Sequence, residues 1–379
     1  MKFKDVYIAN TNCVTPLGFD VQSNIENISN GISGISLQDD HALMADPFYA
    51  GVVDTEKLDA AFSSAGNSGD YSRLEKMMIL ALQPVISQSG VEISATTGLI
   101  LSTTKGNIAL LKNSDAPEGA YLHKLAAKIA GHFGIVTEPI VVSNACVSGI
   151  MAISVAKRLI LAEMYENVFI VSGDEVSEFV LSGFSSFQAM SSKPCRPYSP
   201  TRDGITLGEA AAAALITADS TNAKARIAGD GSINDANHIS GPSRTGEGLV
   251  QSITNALAEA EVTPSQIDYI SAHGTATLYN DEMETVAFNR LGLENVPINS
   301  FKGYYGHTLG SSGLLETVIG LESVQHNRLF ESLGYEDDGQ LRQINVITEN
   351  QNKEINYFLK TASGFGGTNT AVVFEKIMG

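Results

Sequence analysis

Cys146 lies in the stretch PIVVSNACVSGIMAISVAKRLI, residues 139–160, where a β-branched run stops and a mostly apolar helical pattern begins. Ser143 and Asn144 supply N-cap chemistry just before it. A thiol at a helix N-terminus faces the positive end of the macrodipole and unpaired backbone N–H groups. Such positions lower a cysteine pKa from about 8.5 to roughly 3.5–7.5. The segment therefore predicts a thiolate able to attack a thioester. The competing reading is a small buried residue, the usual fate of a free cysteine. Cys13 and Cys195 open no helix after a strand and read as structural.

Two histidines stand at comparable boundaries. His273, in DYISAHGTATLYNDEMET, follows a strand and precedes the hydroxyls of Thr275 and Thr277. His307, in NSFKGYYGHTLGSSGLLE, follows Lys302 and precedes a helix that starts in small residues. Open α/β sheets place their sites at such strand and helix ends. Two neutral imidazoles converging on one cysteine can each donate an N–H to a carbonyl oxygen. That arrangement stabilises an enolate as carbon dioxide leaves a malonyl group. A Cys–His pair alone fits a cysteine hydrolase equally well. Near the carboxyl end, TASGFGGTNTAVVFEK sets Gly364, Phe365, Gly366 and Gly367 between two strands. Glycines there permit positive φ and close approach of backbone to ligand, and Phe365 reads as a movable gate. The loop leads into a strand and lacks GxGxxG spacing, so it is not a dinucleotide loop.

These residues need a framework to hold them. Short β-branched runs at 6–9, 98–102, 139–143, 168–172, 267–272, 297–300 and 356–362 alternate with helix-length segments at 74–88, 146–164, 248–260 and 309–325. Strands alternating with helices predict an α/β protein with sheets covered on both faces. The polar stretch ADSTNAKAR, residues 218–226, is the expected boundary between an amino-terminal half, 1–222, and a carboxyl-terminal half, 223–379. No repeat is visible by residue identity. Residues 114–119 and 334–340 read as surface loops.

The 379 residues are 43% hydrophobic and 17% charged, enough to bury a large core. Three cysteines at irregular spacing form neither a disulfide framework nor a CxxC metal pair, which favours a reducing, cytoplasmic setting. A net charge of −18 argues against nucleic acid as a partner. The amino terminus lacks the apolar core of a signal peptide, and the apolar run 150–164 is broken by Lys157 and Arg158, so no membrane span is expected.

Cysteine after strand, HGTAT, KGYYGHTLG and GFGGTN occur in one order, and that order resembles the elongating β-ketoacyl-acyl carrier protein synthases of the thiolase superfamily. VYIANTNCVTPLG, CRPYSPTRDGITLGEAAAAALI and NHISGPSRTGEGL extend the resemblance over nearly the whole chain; the last resembles a loop beside the substrate entrance. The resemblance implies a five-layered αβαβα fold of two similar halves, the first carrying the cysteine and the second both histidines. It implies that Cys146 accepts the acyl chain and that His273 and His307 support decarboxylation of malonyl. Lys302 and Glu316 are implied to organise His307 and the site's polar network, and Thr275 and Thr277 to contact the pantetheine arm. Backbone N–H groups of Cys146 and Phe365 are implied to form the oxyanion hole, and Phe365 and Gly366 to bind substrate. No cofactor is implied beyond the phosphopantetheine of an acyl carrier protein. The implied partners are that carrier and a second chain, identical or ketosynthase-like, in a dimer whose interface shapes an acyl tunnel. Leu110 and Leu111 are candidates for the tunnel floor. The pathway is fatty acid or specialised polyene or polyketide synthesis. The alternatives are a chain-length-setting partner subunit and a non-decarboxylating thiolase-type acyltransferase.

Three features depart from the family pattern. Ala276 stands where Gly or Ser is common, a costly choice if that position needs positive φ. Asn144 begins the triplet ending in Cys146 where Thr is commoner. Gln188 stands where bacterial members often place a basic residue for carrier docking.

Overall fold

The computed structural model describes residues 4–112, 117–236, 241–336 and 344–377. Residues 114–116 and 337–340 of the two expected surface loops, and His238 with the start of the expected entrance loop, lie outside them.

Ten strands form one sheet system: β1 (Tyr7–Val14), β2 (Thr97–Ser102), β3 (Ile140–Val142), β4 (Asn167–Asp174), β5 (Ala210–Thr217), β6 (Ala225–Asn234), β7 (Tyr269–Ser271), β8 (Ile298–Asn299), β9 (Tyr357–Gly364) and β10 (Thr368–Lys376). Their spatial order, β8-β7-β9-β10-β6-β1-β5-β4-β2-β3, contains one pattern twice. In β1-β5-β4-β2-β3 the first two pairings are antiparallel and the last two parallel. The same sequence of pairings runs through β6-β10-β9-β7-β8. The two sets touch only where Tyr7 and Ile8 of β1 meet Arg226 and Ala225 of β6. The duplication absent from residue identity is therefore present in topology.

Six helices matter to the layers: α1 (Arg73–Ser89), α2 (Ser148–Leu161), α3 (Glu178–Ser186), α4 (Glu247–Ala260), α5 (Leu278–Arg290) and α6 (Ser312–His326). Strand side chains alternate between faces, and both faces are covered, so the strands read as unbroken apolar runs. Along β5, Ala212, Ala214 and Ile216 face a central core with α2 and α6. Ala211, Ala213 and Leu215 face an outer core with α1. In the second half Val372 and Phe374 of β10 point to the same central core, and Ala371 and Val373 to an outer core with α4 and α5. The layers are thus helix, sheet, helices, sheet, helix, the αβαβα order the resemblance implies.

The two central helices pack with their first turns almost in contact. A Cβ on Gly149 would lie 2.6 Å from the backbone nitrogen of Leu314, and one on Gly313 would lie 2.6 Å from that of Ile150. Only glycine permits this approach. It brings the start of α2, just after Cys146, beside the start of α6, just after His307.

Candidate active site

Cys146 occupies a tight turn between β3 and α2. Ala145 adopts φ of +44°, the Ser148 hydroxyl donates to the Ala145 carbonyl at 2.6 Å, and the Asn144 N–H donates to Ser148 Oγ at 2.7 Å. The helix begins at Ser148, and Val147 before it makes no side-chain cap. The N-cap role expected of Ser143 and Asn144 is therefore wrong. The positive φ at Ala145 turns the chain before they can reach the helix, and Ser148 ties the turn from inside the helix.

The expected low thiol pKa is also corrected. Cys146 is 8% exposed, and burial pushes its thiol up to about 11, against lowering contributions from Lys302 and Lys105. The cost of removing an anion from water is the largest cause of the shift. The resting group is a thiol in need of a base.

A base is in place. His307 Nε2 lies 3.1 Å from Cys146 Sγ, and its Nδ1 lies 3.0 Å from Ser312 Oγ in the first turn of α6. Because a hydroxyl can donate or accept, Ser312 serves either imidazole tautomer. Nε2 can thus accept the thiol proton at one stage and present an N–H at another. His273 stands edge-on to His307, with ring centroids 5.2 Å apart and an interplanar angle of 81°. Burial foremost, then Lys302, holds both imidazoles well below the usual histidine range. Both are therefore neutral at physiological pH.

Lys302 and Glu316 belong to a polar network as the resemblance implies, but its bonds go to His273 and not to His307. Lys302 Nζ donates to the His273 carbonyl at 2.5 Å, lies 3.4 Å from His273 Nδ1 and bonds Glu316 Oε1 at 2.6 Å. The reason is geometric: KGYY, residues 302–305, forms a single helical turn, and the Lys302 side chain reaches back under the end of β7. The His273 segment is held further by Glu284 of α5, which accepts the N–H groups of His273 and Gly274 at 2.8 and 2.7 Å. Ala276 has φ of +64° and is fully buried, so this position does carry the left-handed strain expected of a non-glycine residue.

A cavity of about 400 Å³ opens onto Cys146, His273 and His307 and is lined also by Thr275, Thr277 and Phe365. The Thr275 and Thr277 hydroxyls are 2.9 Å apart. Phe365 stacks on Phe184 at 5.8 Å and meets Phe187 edge-on at 5.7 Å. Gly364 and Gly367 line the cavity; Gly366 does not, but turns outward at the loop tip with φ of +88°. A Cβ on Gly364 would lie 3.2 Å from the Cys146 nitrogen, so the glycine loop runs against the nucleophile's backbone. Gln188 and the described part of the entrance loop, Gly241 to Ser243, border the same cavity. Leu110 and Leu111 do not: in the single chain they are 39% and 48% exposed, on a 3₁₀ turn away from it.

Sequence reasoning missed Ser312, Glu284, Phe184 and Phe187, and also Lys360, a fully buried lysine on β9 that bonds Glu316 Oε2 at 2.6 Å. The Cys146 sulfur and the two histidine nitrogens lie within 4.8 Å of one another, a donor set that could hold a metal ion. The two buried ammonium groups behind His273 disfavour a cation there and favour developing negative charge.

The same order of elements is found in known proteins. Residues 3–222 match the family model "Beta-ketoacyl synthase, N-terminal domain", and residues 224–336 match "Beta-ketoacyl synthase, C-terminal domain". The chain belongs to the beta-ketoacyl synthase family. It is 26% identical to 3-oxoacyl-[acyl-carrier-protein] synthase 2 of Vibrio harveyi, with all of both chains covered. It is 34% identical to the Rhizobium meliloti protein of that name over 63% of this chain and 61% of that one. A structure of a ketosynthase in complex with its chain length factor from Xenorhabdus doucetiae superposes with a TM-score of 0.86 at 25% identity, covering 99% of this chain and 98% of that one. Among the described residues no helix is long and apolar enough to cross a membrane.

Proposed function

We propose that this chain is a β-ketoacyl-acyl carrier protein synthase that joins an acyl group on Cys146 to a malonyl unit by decarboxylative Claisen condensation. The observation that carries the reading is the contact of His307 Nε2 with Cys146 Sγ at 3.1 Å beside a second neutral imidazole, His273. A hydrolase needs one histidine on its cysteine. A second, neutral and held by Lys302, suits a step in which an oxyanion must be stabilised without proton transfer to it.

In the first half-reaction His307 Nε2 takes the Cys146 proton as sulfur attacks the carrier thioester carbonyl. The tetrahedral intermediate collapses, the carrier thiolate leaves with that proton, and the acyl group stays on Cys146. In the second, the C–C bond to the malonyl carboxylate breaks, carbon dioxide departs, and the electron pair becomes an enolate whose oxygen accepts N–H bonds from His273 and His307. The α-carbon attacks the acyl carbonyl, whose oxyanion is assigned to the backbone N–H groups of Cys146 and Phe365. The C–S bond then breaks, and the Cys146 thiolate regains a proton from water through His307.

Both substrates arrive on the phosphopantetheine of an acyl carrier protein, with Thr275 and Thr277 along the arm and no further cofactor. The chain works in the cytoplasm as a dimer with an identical or ketosynthase-like partner. The Xenorhabdus complex supports a chain length factor as that partner, and the pathway is fatty acid or specialised polyene or polyketide synthesis. The nucleophile Cys146 supports the catalytic role for this chain in such a pair. Steady-state assay with acyl- and malonyl-carrier protein, alone and with a candidate partner, tests the reading. Release of carbon dioxide matched by β-ketoacyl product supports it, and hydrolysis of the acyl thioester without condensation contradicts it.

A further inference from the structure

Lys360 lies inside β9 and is fully buried, so its ammonium is sealed from solvent. Its Nζ donates to Glu316 Oε2 at 2.6 Å and lies near the carbonyls of Thr361 at 2.8 Å, Ser271 at 3.1 Å and Ala272 at 3.3 Å. Burying an ammonium is costly unless it is paired and fully hydrogen-bonded, and four acceptors meet that need. Burial pushes the Lys360 ammonium toward its neutral form, and the Glu316 carboxylate with the surrounding carbonyl acceptors favours the protonated one. The other oxygen of Glu316 takes Lys302. One carboxylate thus lies between two ammonium groups, and the trio carries a surplus positive charge directly behind His273. The next carboxylate, Glu284, is occupied by the N–H groups of His273 and Gly274, the Tyr198 hydroxyl and the Asn280 amide.

We propose that Lys360 is a positioning residue for the decarboxylation step: it locks Glu316 so that Lys302 stays on His273, and its charge favours negative charge at the two imidazoles. The role rests on the ketosynthase reading and adds to it a residue that touches neither substrate nor reacting atom. The groups that face it are Glu316 from α6, Lys302 from the 302–305 turn, and Glu284 from α5; His307 completes the charge balance around His273. Lys360 is one of the groups that hold both histidines below their ordinary range. Removing its charge therefore lets them protonate at a higher pH. The neutral form is the one that can donate an N–H without losing a proton to the enolate, so the acid limb of activity moves upward in pH.

The test compares wild type with Lys360→Met, which keeps the volume, and Lys360→Gln, which keeps a hydrogen-bond donor without the charge. Acyl transfer to Cys146 is read by intact-protein mass spectrometry, and carbon dioxide release from malonyl-carrier protein is read separately between pH 5 and 8, a range of about three units around the ordinary histidine value. In both variants acyl transfer, read at pH 8 where both imidazoles stay neutral, is expected to stay within about two-fold of wild type. Carbon dioxide release is expected to fall on the order of ten-fold, less than the roughly hundred-fold cost of losing a direct oxyanion donor. Its acid limb is expected to shift to higher pH. Equal losses in both half-reactions with an unmoved acid limb assign Lys360 to packing alone and overturn the proposal, as does unchanged decarboxylation. A wild-type protein that accepts the acyl group but releases no carbon dioxide overturns the functional reading itself.

Discussion

The Nε2 atom of His307 stands 3.1 Å from the Sγ atom of Cys146, across the junction where two central helices begin side by side. That contact, more than the helix N-terminus, governs how the thiol is activated, because burial pushes it up to about 11.

The first consequence concerns alkylation of the free enzyme by iodoacetamide. Cys146 is expected to react slowly at neutral pH, with a rate that keeps rising past the value near 8.5 at which an ordinary cysteine levels off. A plateau below pH 7.5 or so, the upper end for a helix-activated thiolate, would contradict the burial argument. Peptide mapping separates Cys146 from the fully buried Cys13 and from Cys195.

The two histidines are expected to separate by half-reaction. His273→Ala keeps acyl transfer to Cys146 and loses decarboxylation by roughly 100- to 1000-fold, the scale of a lost oxyanion donor. His307→Ala slows both steps, because His307 bonds the sulfur and also faces the enolate site. Rapid-quench measurement of acyl-enzyme and of carbon dioxide distinguishes them. Full-rate acylation in His307→Ala would remove its role as base.

How far the site was legible depended on whether partners lie close in sequence. Cys146, His273, His307 and the glycine loop stand at strand ends with recognisable flanks, and the structure brings them together. Ser312, only five positions after His307, looked like helix-start filler, because its hydroxyl could equally have capped the helix. Lys360 and Glu316 are 44 positions apart and meet only because β9 and α6 pack together. No local pattern marks a lysine inside a strand as buried and paired. The fold followed the same division. Most β-branched strands are readable, but β5, AAAAALIT, is rich in alanine, which favours helices; its place between β1 and β4 overrides that preference. Capping by Ser143 and Asn144 fails because the decisive feature of the Cys146 turn, a positive φ at Ala145, falls on a residue type that rarely adopts it.

The helix junction gives a stability prediction independent of chemistry. Gly313→Ala places a Cβ 2.6 Å from the Ile150 nitrogen, so α2 and α6 must separate. Overpacking of this kind costs about 1–3 kcal/mol and is read as a lower urea midpoint. Because the junction also sets the Cys146–His307 distance, acyl transfer should fall with it. A variant as stable and active as wild type would show that the junction tolerates a wider spacing.

The central claim, that an acyl group held on Cys146 receives a carbanion made beside it, is tested most directly by a single-turnover chase. Protein pre-acylated at Cys146 is mixed with malonyl-carrier protein, and the mass of both proteins is followed over time. The account predicts that the acyl mass leaves Cys146 as the carrier gains a β-ketoacyl chain, with one carbon dioxide released per transfer, and that Cys146→Ala shows neither loading nor transfer. Acyl mass lost to water while malonyl-carrier protein stays intact, or product formed equally by Cys146→Ala, would contradict it.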